Sequence, residues 1–561
     1  MGKANRTTAL FFLNLALHSK SRAALKHFSA RTWVWQGGGD PLAKSRFTFT
    51  VPGYALFQIR YHKGPPMPLP EILAPAGNPE KLHTALVYGA DAVYLGGRTF
   101  NLRAGCEGFD AHELASGVGL ATSYGAQVYF CMNSMPMQED MAGLPAVIEE
   151  AASAGVHAFI IADPGIFRLA RTYAPHIPIH VSTQMNTTNA DALAFWHEAG
   201  ATRANLAREL SCRDIHAIKK ALPDMELEIF VHGAMCLAIS GQCLLSAWLN
   251  KRPANLGQCT HPCRFEYRAT DFDAHGNEII PQPAHQQADP ELFVEERIRS
   301  EAERAQHGQS APLWRVRKGA LEEGGEERYA SFWAPEDLCL MPYMRWLMHS
   351  GVRALKIEGR MKGAAYVAHC VDAYKSALLA CAANPPAFDW RGFMPDLFHT
   401  ASRPLASGFF IPGKRRNIGA ELGFTPVKPS MLERDTGDHL PVINGAPIFP
   451  ETMTGRVLAP AGTSGTAWEV DIRGQWRTER PLVLMLPGMS RPMLESNEYG
   501  LENTLGERLS IAHPGTRAIL RVDGIALEKA MQASPTVQGG AGNSRHDGFE
   551  GVFLRTSLRD G

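Results

Sequence analysis

The chain has no charge imbalance, with 56 Lys and Arg against 56 Asp and Glu. That excludes binding of nucleic acid or an anionic surface through a bulk field, so any such binding must rest on a local basic patch. Long apolar runs are also missing. No stretch reaches the roughly 18 apolar residues of a membrane span, and the run Ala9–Leu17 is only half that length. Ten cysteines in 561 residues are too few and too scattered for the disulfide frame of a small secreted scaffold. Neither an H-E-x-x-H metal site nor a G-x-S-x-G nucleophile elbow occurs. The leader is poor in acid, Asp40 standing alone before position 71 against ten Lys and Arg. Residues 1–66 are therefore expected to be a disordered or mis-called extension, with domain sequence beginning after Met67.

From residue 71 onward, short apolar runs alternate with amphipathic stretches. The runs are Ile72–Ala76, Ala92–Leu95, Val128–Met132, Ala158–Ala162, Ile177–Val181, Arg203–Ala207, Leu227–Val231 and Val352–Ile357. Helical patterns lie between most of them, among them Pro79–Tyr88, Ala111–Tyr124, Ala190–Ala199 and Ser211–Ala221, and Gly89, Gly125, Gly155 and Gly200 stand where helices stop. Eight such units predict an α/β fold, a (β/α)8 TIM-barrel-like domain. Its expected span is 67–384, with a cysteine-bearing insertion at 232–351 whose middle is polar. A linker or helical segment at 385–449 should follow, then a small C-terminal β-barrel at 450–530 built from short strands and Gly/Pro turns. The Gly/Ser-rich end, 531–561, is expected to be a disordered tail.

Four cysteines crowd into the insertion as C-x6-C-x15-C-x3-C: Cys236, Cys243, Cys259 and Cys263. One helical turn would bring Cys259 and Cys263 within about 6 Å. Gly233, Gly241 and Gly257 precede cysteines, as if the backbone had to bend close to a bulky inorganic group. Soft thiolates select zinc or an iron–sulfur cluster. Zinc ligands usually pair at shorter spacings, which only the last pair approaches, so the spacing leans toward [4Fe–4S] and leaves zinc open. The isolated Cys106, Cys131, Cys212, Cys370 and Cys381 read as plain thiols.

The segments Glu228-x-Phe230-x-x-Gly233-Ala234-Met235-Cys236 and Gly241-x-Cys243-x-Leu245-Ser246 resemble the signature of the peptidase U32 family. Also similar are Leu73–Gly77, Gly89–Tyr94, His180–Gln184, Arg208–Leu210 and Lys356–Arg360, so the resemblance covers about residues 70–420. Arg208–Ser211 and Pro223–Gly233 look most like the branch that hydroxylates the wobble uridine of tRNA. The resemblance implies a cytoplasmic, membrane-free enzyme that acts on tRNA, uses prephenate as the small-molecule hydroxyl donor, and carries a [4Fe–4S] cluster on the four-cysteine motif. It also carries two alternatives: the collagenase-like peptidase activity of the family's label, and the rRNA or ubiquinone-pathway hydroxylation of other members. Cys339 lies where many members have a cysteine and is an alternative to Cys263 as fourth ligand.

Barrel chemistry sits at the C-terminal ends of strands. There the sequence places Asn133, Asp163, Gln184, Arg208, Glu209, His232, Glu358 and Arg360, with Arg103 after the second strand. A dicarboxylic donor calls for guanidinium forks, so Arg103, Arg208 and Arg360 are candidate grips and Gln184 a further substrate contact. His232 is a candidate proton carrier, and Glu358 either a catalytic group or a brace for an arginine. Lys251, Arg252 and Arg264 are candidate contacts to RNA phosphates.

Overall fold

A computed structural model of the chain describes residues 46–49, 57–60, 68–98, 108–239, 242–252, 254, 259–264, 267–272, 278–279, 292–296, 329–330, 336–401, 403–412, 416–422, 442–443, 446–447, 451–462, 465–533 and 549–557. The chain forms two compact units, 1–67 and 68–561. In the first, Arg46–Phe49 pairs antiparallel with Phe57–Arg60, and the rest of the leader lies outside the described residues.

The second unit opens with the predicted alternation. Strands β1 (Glu71–Pro75), β2 (Ala92–Leu95), β3 (Gln127–Met132), β4 (Ala158–Ile161), β5 (Ile179–Val181), β6 (Arg203–Asn205), β7 (Glu226–Ala234) and β8 (Ala354–Ile357) pair in parallel in that order. The ring closes because β8 pairs with both β7 and β1. Helices α1 (Pro79–Val87), α2 (Ala111–Ser123), α3 (Leu144–Ser153), α4 (Pro164–Tyr173), α5 (Ala190–Glu198), α6 (Cys212–Ala221), α7 (Met344–His349) and α8 (Ala364–Ala383) follow the strands. Their starts are encoded locally. Asp110 and Glu113 form a capping box on α2, Ser211 and Asp214 another on α6, and Asn78, Asp163 and Asn189 cap α1, α4 and α5.

Outward strand residues such as Ile72, Val93, Val128, Phe159 and Leu355 pack under the helices in the main core. The barrel interior is smaller and mixed. Leu73, Tyr94, Tyr129, Cys131 and Ile160 form an apolar cluster, and four buried charges share the space. Lys356 Nζ donates to Glu228 Oε1 at 2.7 Å, and Arg203 pairs with Glu71, which also accepts from the Tyr129 hydroxyl at 2.9 Å. Two acids and two bases thus neutralise one another inside the barrel.

The insertion after β7 returns through a short strand, Asp337–Cys339, antiparallel to the end of β7 and parallel to Leu405–Ala406. Within its polar middle, Tyr267–Phe272 pairs with Leu292–Glu296 and two shorter strands. In the expected linker, helix Met394–Thr400 packs on α8.

The C-terminal part is an eight-stranded antiparallel sheet. Among the described residues its strands run in one unbroken order, in the region expected to form the small β-barrel. The tail departs from expectation. Residues 524–533 form a helix, and Phe553–Ser557 is a strand between Glu451–Pro460 and Leu482–Met485. The Gly/Ser-rich composition of 534–548 hid the alternation that follows it: Val552 and Leu554 enter the sheet's core, and Phe553 enters the barrel's. The sheet is fixed to the barrel by buried polar contacts. The Tyr88 hydroxyl donates to the Met485 carbonyl at 2.7 Å and accepts from the Phe553 amide at 3.1 Å. Arg491 reaches Asp372 at 2.7 Å and Asp396 at 3.0 Å.

A tail strand buried in this way should matter to stability. Leu554→Ala is expected to cost about 2–5 kcal/mol in denaturant unfolding, as other buried leucines do. A change near zero would mean the tail contributes nothing.

Candidate functional site

The C-terminal rim gathers part of the expected set. Arg208, just past β6, has only 6% of its side chain exposed. Its guanidinium lies 3.9 Å from the centroid of the Phe230 ring, an attractive cation–π arrangement. Its Nη2 is 3.9 Å from Glu358 Oε2, and its Nη1 is 3.9 Å from Cys236 Sγ. One side chain therefore links β6, β7, β8 and the first cysteine of the insertion.

Arg360 is buried, with its guanidinium 5.7 Å from the Tyr94 ring. Below it, Lys356 Nζ stands 4.3 Å over the same ring. The Tyr94 hydroxyl lies 2.9 Å from the Ile357 carbonyl and 3.3 Å from Glu358 Oε2. Arg360 and Lys356 are also the cations that oppose the rise of the buried Cys131 thiol. The β1 loop supports this edge. A side chain at Gly77 would strike the Arg360 carbonyl, and Lys81 Nζ donates to that carbonyl at 3.1 Å.

At the ends of β5 and β6 and in the loops after them the barrel holds unmet polar capacity. Among the described residues, Asn186 Oδ1, Thr187 Oγ1, Asn205 Oδ1 and Glu209 Oε2 are buried without a hydrogen-bond partner. The adjoining loops touch where the Ala207 amide donates to the Thr187 carbonyl at 3.2 Å. Buried groups left unmet in this way point to a ligand or ordered water. Gln184 is buried in the turn after β5, where its side-chain oxygen accepts from Ser182 Oγ at 3.1 Å. Asp163 serves as the α4 cap. Arg103 lies outside the described residues.

His232 is not placed to carry protons at the rim. Between Lys356 and Ile357 the β7–β8 register slips by one residue, and that bulge turns His232 away from the interior side shared by Glu228 and Phe230. Its ring packs against Tyr366 and Tyr374 of α8. Burial, aided by Lys362, pushes its pKa down to about 3, so it is neutral at physiological pH. Gly233 also has another reason than the one expected. At φ +103° it lies against β8, and a side chain there would meet the Glu358 carbonyl at 2.6 Å. The backbone of Glu358, not an inorganic group, takes that room. Gly241 and Gly257 lie outside the described residues.

Cys236 is exposed, and Cys243, Cys259 and Cys263 are partly buried. No helical turn joins the last pair. His261, before Pro262, sits at φ +58°, and a 3-10 turn begins at Pro262, because a residue preceding proline is disfavoured in the right-handed helix. Burial pushes the Cys263 thiol up; Arg264 pulls it down, and the thiolates of Cys259, Cys236 and Cys243 raise it further. Cys263 thus feels the charge of the other three. Cys339 stands apart, opposite His232 on the strand beside β7, with the Tyr374 hydroxyl 3.7 Å from its sulfur. Burial pushes its pKa up to about 11. The donor chemistry of the four-thiol loop fits a thiolate-bound metal or cluster, although among the described residues no three His, Cys, Asp or Glu side chains are drawn together closely enough to hold an ion.

Basic residues flank this loop. Lys251 and Arg252 are exposed at the end of the short helix Leu245–Asn250, and Arg264 is partly buried. That helix is tied to the second cysteine pair: the Thr260 amide donates to Ser246 Oγ at 3.1 Å, and Asn250 Nδ2 donates to Thr260 Oγ1 at 2.6 Å. Among the described residues no helix is long and apolar enough to cross a membrane.

Sequence reasoning missed Tyr94, Phe230, Lys356 and Glu228 as parts of the site. Their signal was charge and ring at alternate positions inside runs read as apolar strands. A β/α barrel with a cationic, acid-braced rim and a four-cysteine loop beside it is the class that fold and site define. The chain belongs to peptidase family U32, which it matches over residues 77–418. It is 35% identical over 358 residues to tRNA hydroxylation protein P1 of Bacillus subtilis, covering 63% of this chain and 74% of that protein. It is equally similar to tRNA hydroxylation protein P of Escherichia coli, at 35% over 353 residues, 61% of this chain and 74% of that one. A collagenase of Porphyromonas gingivalis is 29% identical over 321 residues, 55% of this chain and 66% of that one.

The buried histidine sets an acid dependence. His232 has a folded pKa of about 3 against an ordinary 6.5. The unfolded chain therefore takes up a proton as pH falls below 6.5 while the folded chain does not, and stability drains between about pH 6.5 and 3 at up to about 1.4 kcal/mol per pH unit. Melting temperature should be flat in this group above pH 7 and fall on acidification, with a shallower fall in His232→Gln. An equal slope in that variant would mean that His232 is not held neutral.

Proposed function

We propose that this protein is an RNA-modifying enzyme that hydroxylates the wobble uridine of tRNA in the cytoplasm, with prephenate as hydroxyl donor and a [4Fe–4S] cluster on Cys236, Cys243, Cys259 and Cys263. The observation that carries the reading is the 35% identity to proteins named for tRNA hydroxylation, over 74% of their length. The family match spans every rim and loop residue from Tyr94 to Arg360.

In this reading Arg208 and Arg360 grip the donor's carboxylates, since planar guanidinium forks match them. Glu358 and the Phe230 face hold Arg208 in place for that task. Arg103 is a further grip and Gln184 a second substrate contact. A bound cluster would supply redox or Lewis-acid chemistry that the side chains lack. Of the two candidates for fourth ligand, Cys263 is favoured because it senses the other three thiols, whereas Cys339 is buried beside Tyr374. An anticodon base can splay from its loop and enter such a rim, with Lys251, Arg252 and Arg264 on the phosphates. The relative named as a collagenase favours a peptidase as second reading, but the chain carries neither H-E-x-x-H nor G-x-S-x-G.

Protein purified without oxygen should carry about four irons per chain. Cys236→Ala and Cys243→Ala should lose them, while Cys212→Ala and Cys339→Ala keep them. Stoichiometric zinc without iron would contradict the cluster.

The tRNA of a deletion strain should lack hydroxylated uridine derivatives. Restoring the gene with Arg208→Ala should recover on the order of a hundredth of the activity while iron content stays unchanged. Hydroxylated uridine persisting in the deletion strain, with no redundant enzyme present, would contradict the assignment.

A further inference from the structure

Four of the sixteen large apolar side chains exposed among the described residues fall between 237 and 248, on the cysteine loop itself. Leu237 is 49% exposed, Ile239 50%, Leu244 75% and Trp248 66%. Leu244 and Trp248 are four residues apart along the short helix and its cap, so they share one face. A patch of this kind beside a polar site marks a surface that something covers.

Its surroundings identify the partner. Lys251 and Arg252 follow directly and are both exposed. Lys251 ends the helix in a left-handed conformation, φ +56°, which a glycine would adopt at less cost. The chain thus keeps a cation at a position where backbone preference argues against one. An exposed indole with cations one helical turn away matches single-stranded nucleic acid, whose bases stack on aromatic rings while its phosphates seek Lys and Arg. With the chain's net charge at zero, the attraction must be local.

We propose that Leu244–Arg252 is the base-stacking platform for the RNA. Trp248 stacks on an unpaired base next to the one that reacts, Leu244 extends the apolar floor, and Lys251 and Arg252 take the flanking phosphates. The platform lies between Cys243 and Cys259 in sequence and is tied to Thr260 through Ser246 and Asn250. RNA docked there is held against the cysteine loop, and the Arg208 contact joins that loop to the rim at Cys236. The inference rests on RNA being the substrate.

The test is the affinity of the iron-loaded full chain for an unmodified anticodon stem-loop, read by fluorescence anisotropy over a salt series. Trp248→Ala should weaken binding about tenfold or more, and Trp248→Phe should recover most of it, since a ring is what stacking needs. Lys251→Ala and Arg252→Ala should each lower the slope of log affinity against log salt by about one. Iron content should not change in any of the four variants. If the unaltered protein binds the stem-loop and Trp248→Ala binds it equally well, the platform is overturned while the RNA reading stands. If that variant instead loses self-association in sedimentation, the platform is equally overturned and the patch belongs to a protein contact. If the unaltered protein does not bind the stem-loop at all, the RNA reading falls and the platform with it.

Discussion

A guanidinium removed from water must be held by other groups, and the rim of this barrel is organised around that requirement. Arg208 rests on the Phe230 ring, faces Glu358 and reaches the Cys236 sulfur. Phe230 and Cys236 come from β7 and its end, and Glu358 from the end of β8, so they meet Arg208 of the β6 end only when neighbouring strands are paired. The same need is met lower in the barrel by Lys356 with Glu228 and by Arg203 with Glu71. Removing one member of such a pair leaves a buried charge unmet, at a cost of about 3–5 kcal/mol. This polar column meets the rim through two rings: Lys356 shares the Tyr94 ring with Arg360 and the Phe230 ring with Arg208.

The sequence was legible where pattern and packing agree. Ala92–Leu95 falls at the bounds its apolar pattern predicted, and most other strands shift by one or two residues at an end. Arg208, Glu358 and Arg360 could be placed at the rim because barrel strands end there. The misreadings have local causes. A bulge in one strand reverses His232, and no pattern of residue types announces a bulge. Pro262 breaks the turn that C-x3-C suggested. Polar Gly/Ser sequence masked the strand that follows it at Phe553–Ser557. Lys356 and Glu228 were passed over because the surrounding runs are apolar, although a charge at an inward strand position in a parallel barrel needs a partner across the interior.

The cysteine loop joins the rim, at Cys236, to an exposed outer face. Its Cys263 feels the other three thiols, its short helix is tied to the second cysteine pair, and its outer face carries apolar and basic side chains together. A loop built only to close the barrel would gain nothing from exposing Leu244 and Trp248. The C-terminal sheet is held to α8 and the Met394–Thr400 helix through Arg491, and α8 in turn packs on His232 of β7, the strand that leads into that loop.

The central claim is that this rim delivers a hydroxyl group to a uridine of RNA. The most direct measurement is mass spectrometry of unmodified tRNA incubated with anaerobically purified, iron-loaded protein and prephenate. The account predicts that the wobble uridine gains one oxygen atom only when the donor is present, and that the gain is lost with Arg208→Ala. A tRNA unchanged in mass under those conditions, with the cluster intact, would contradict it.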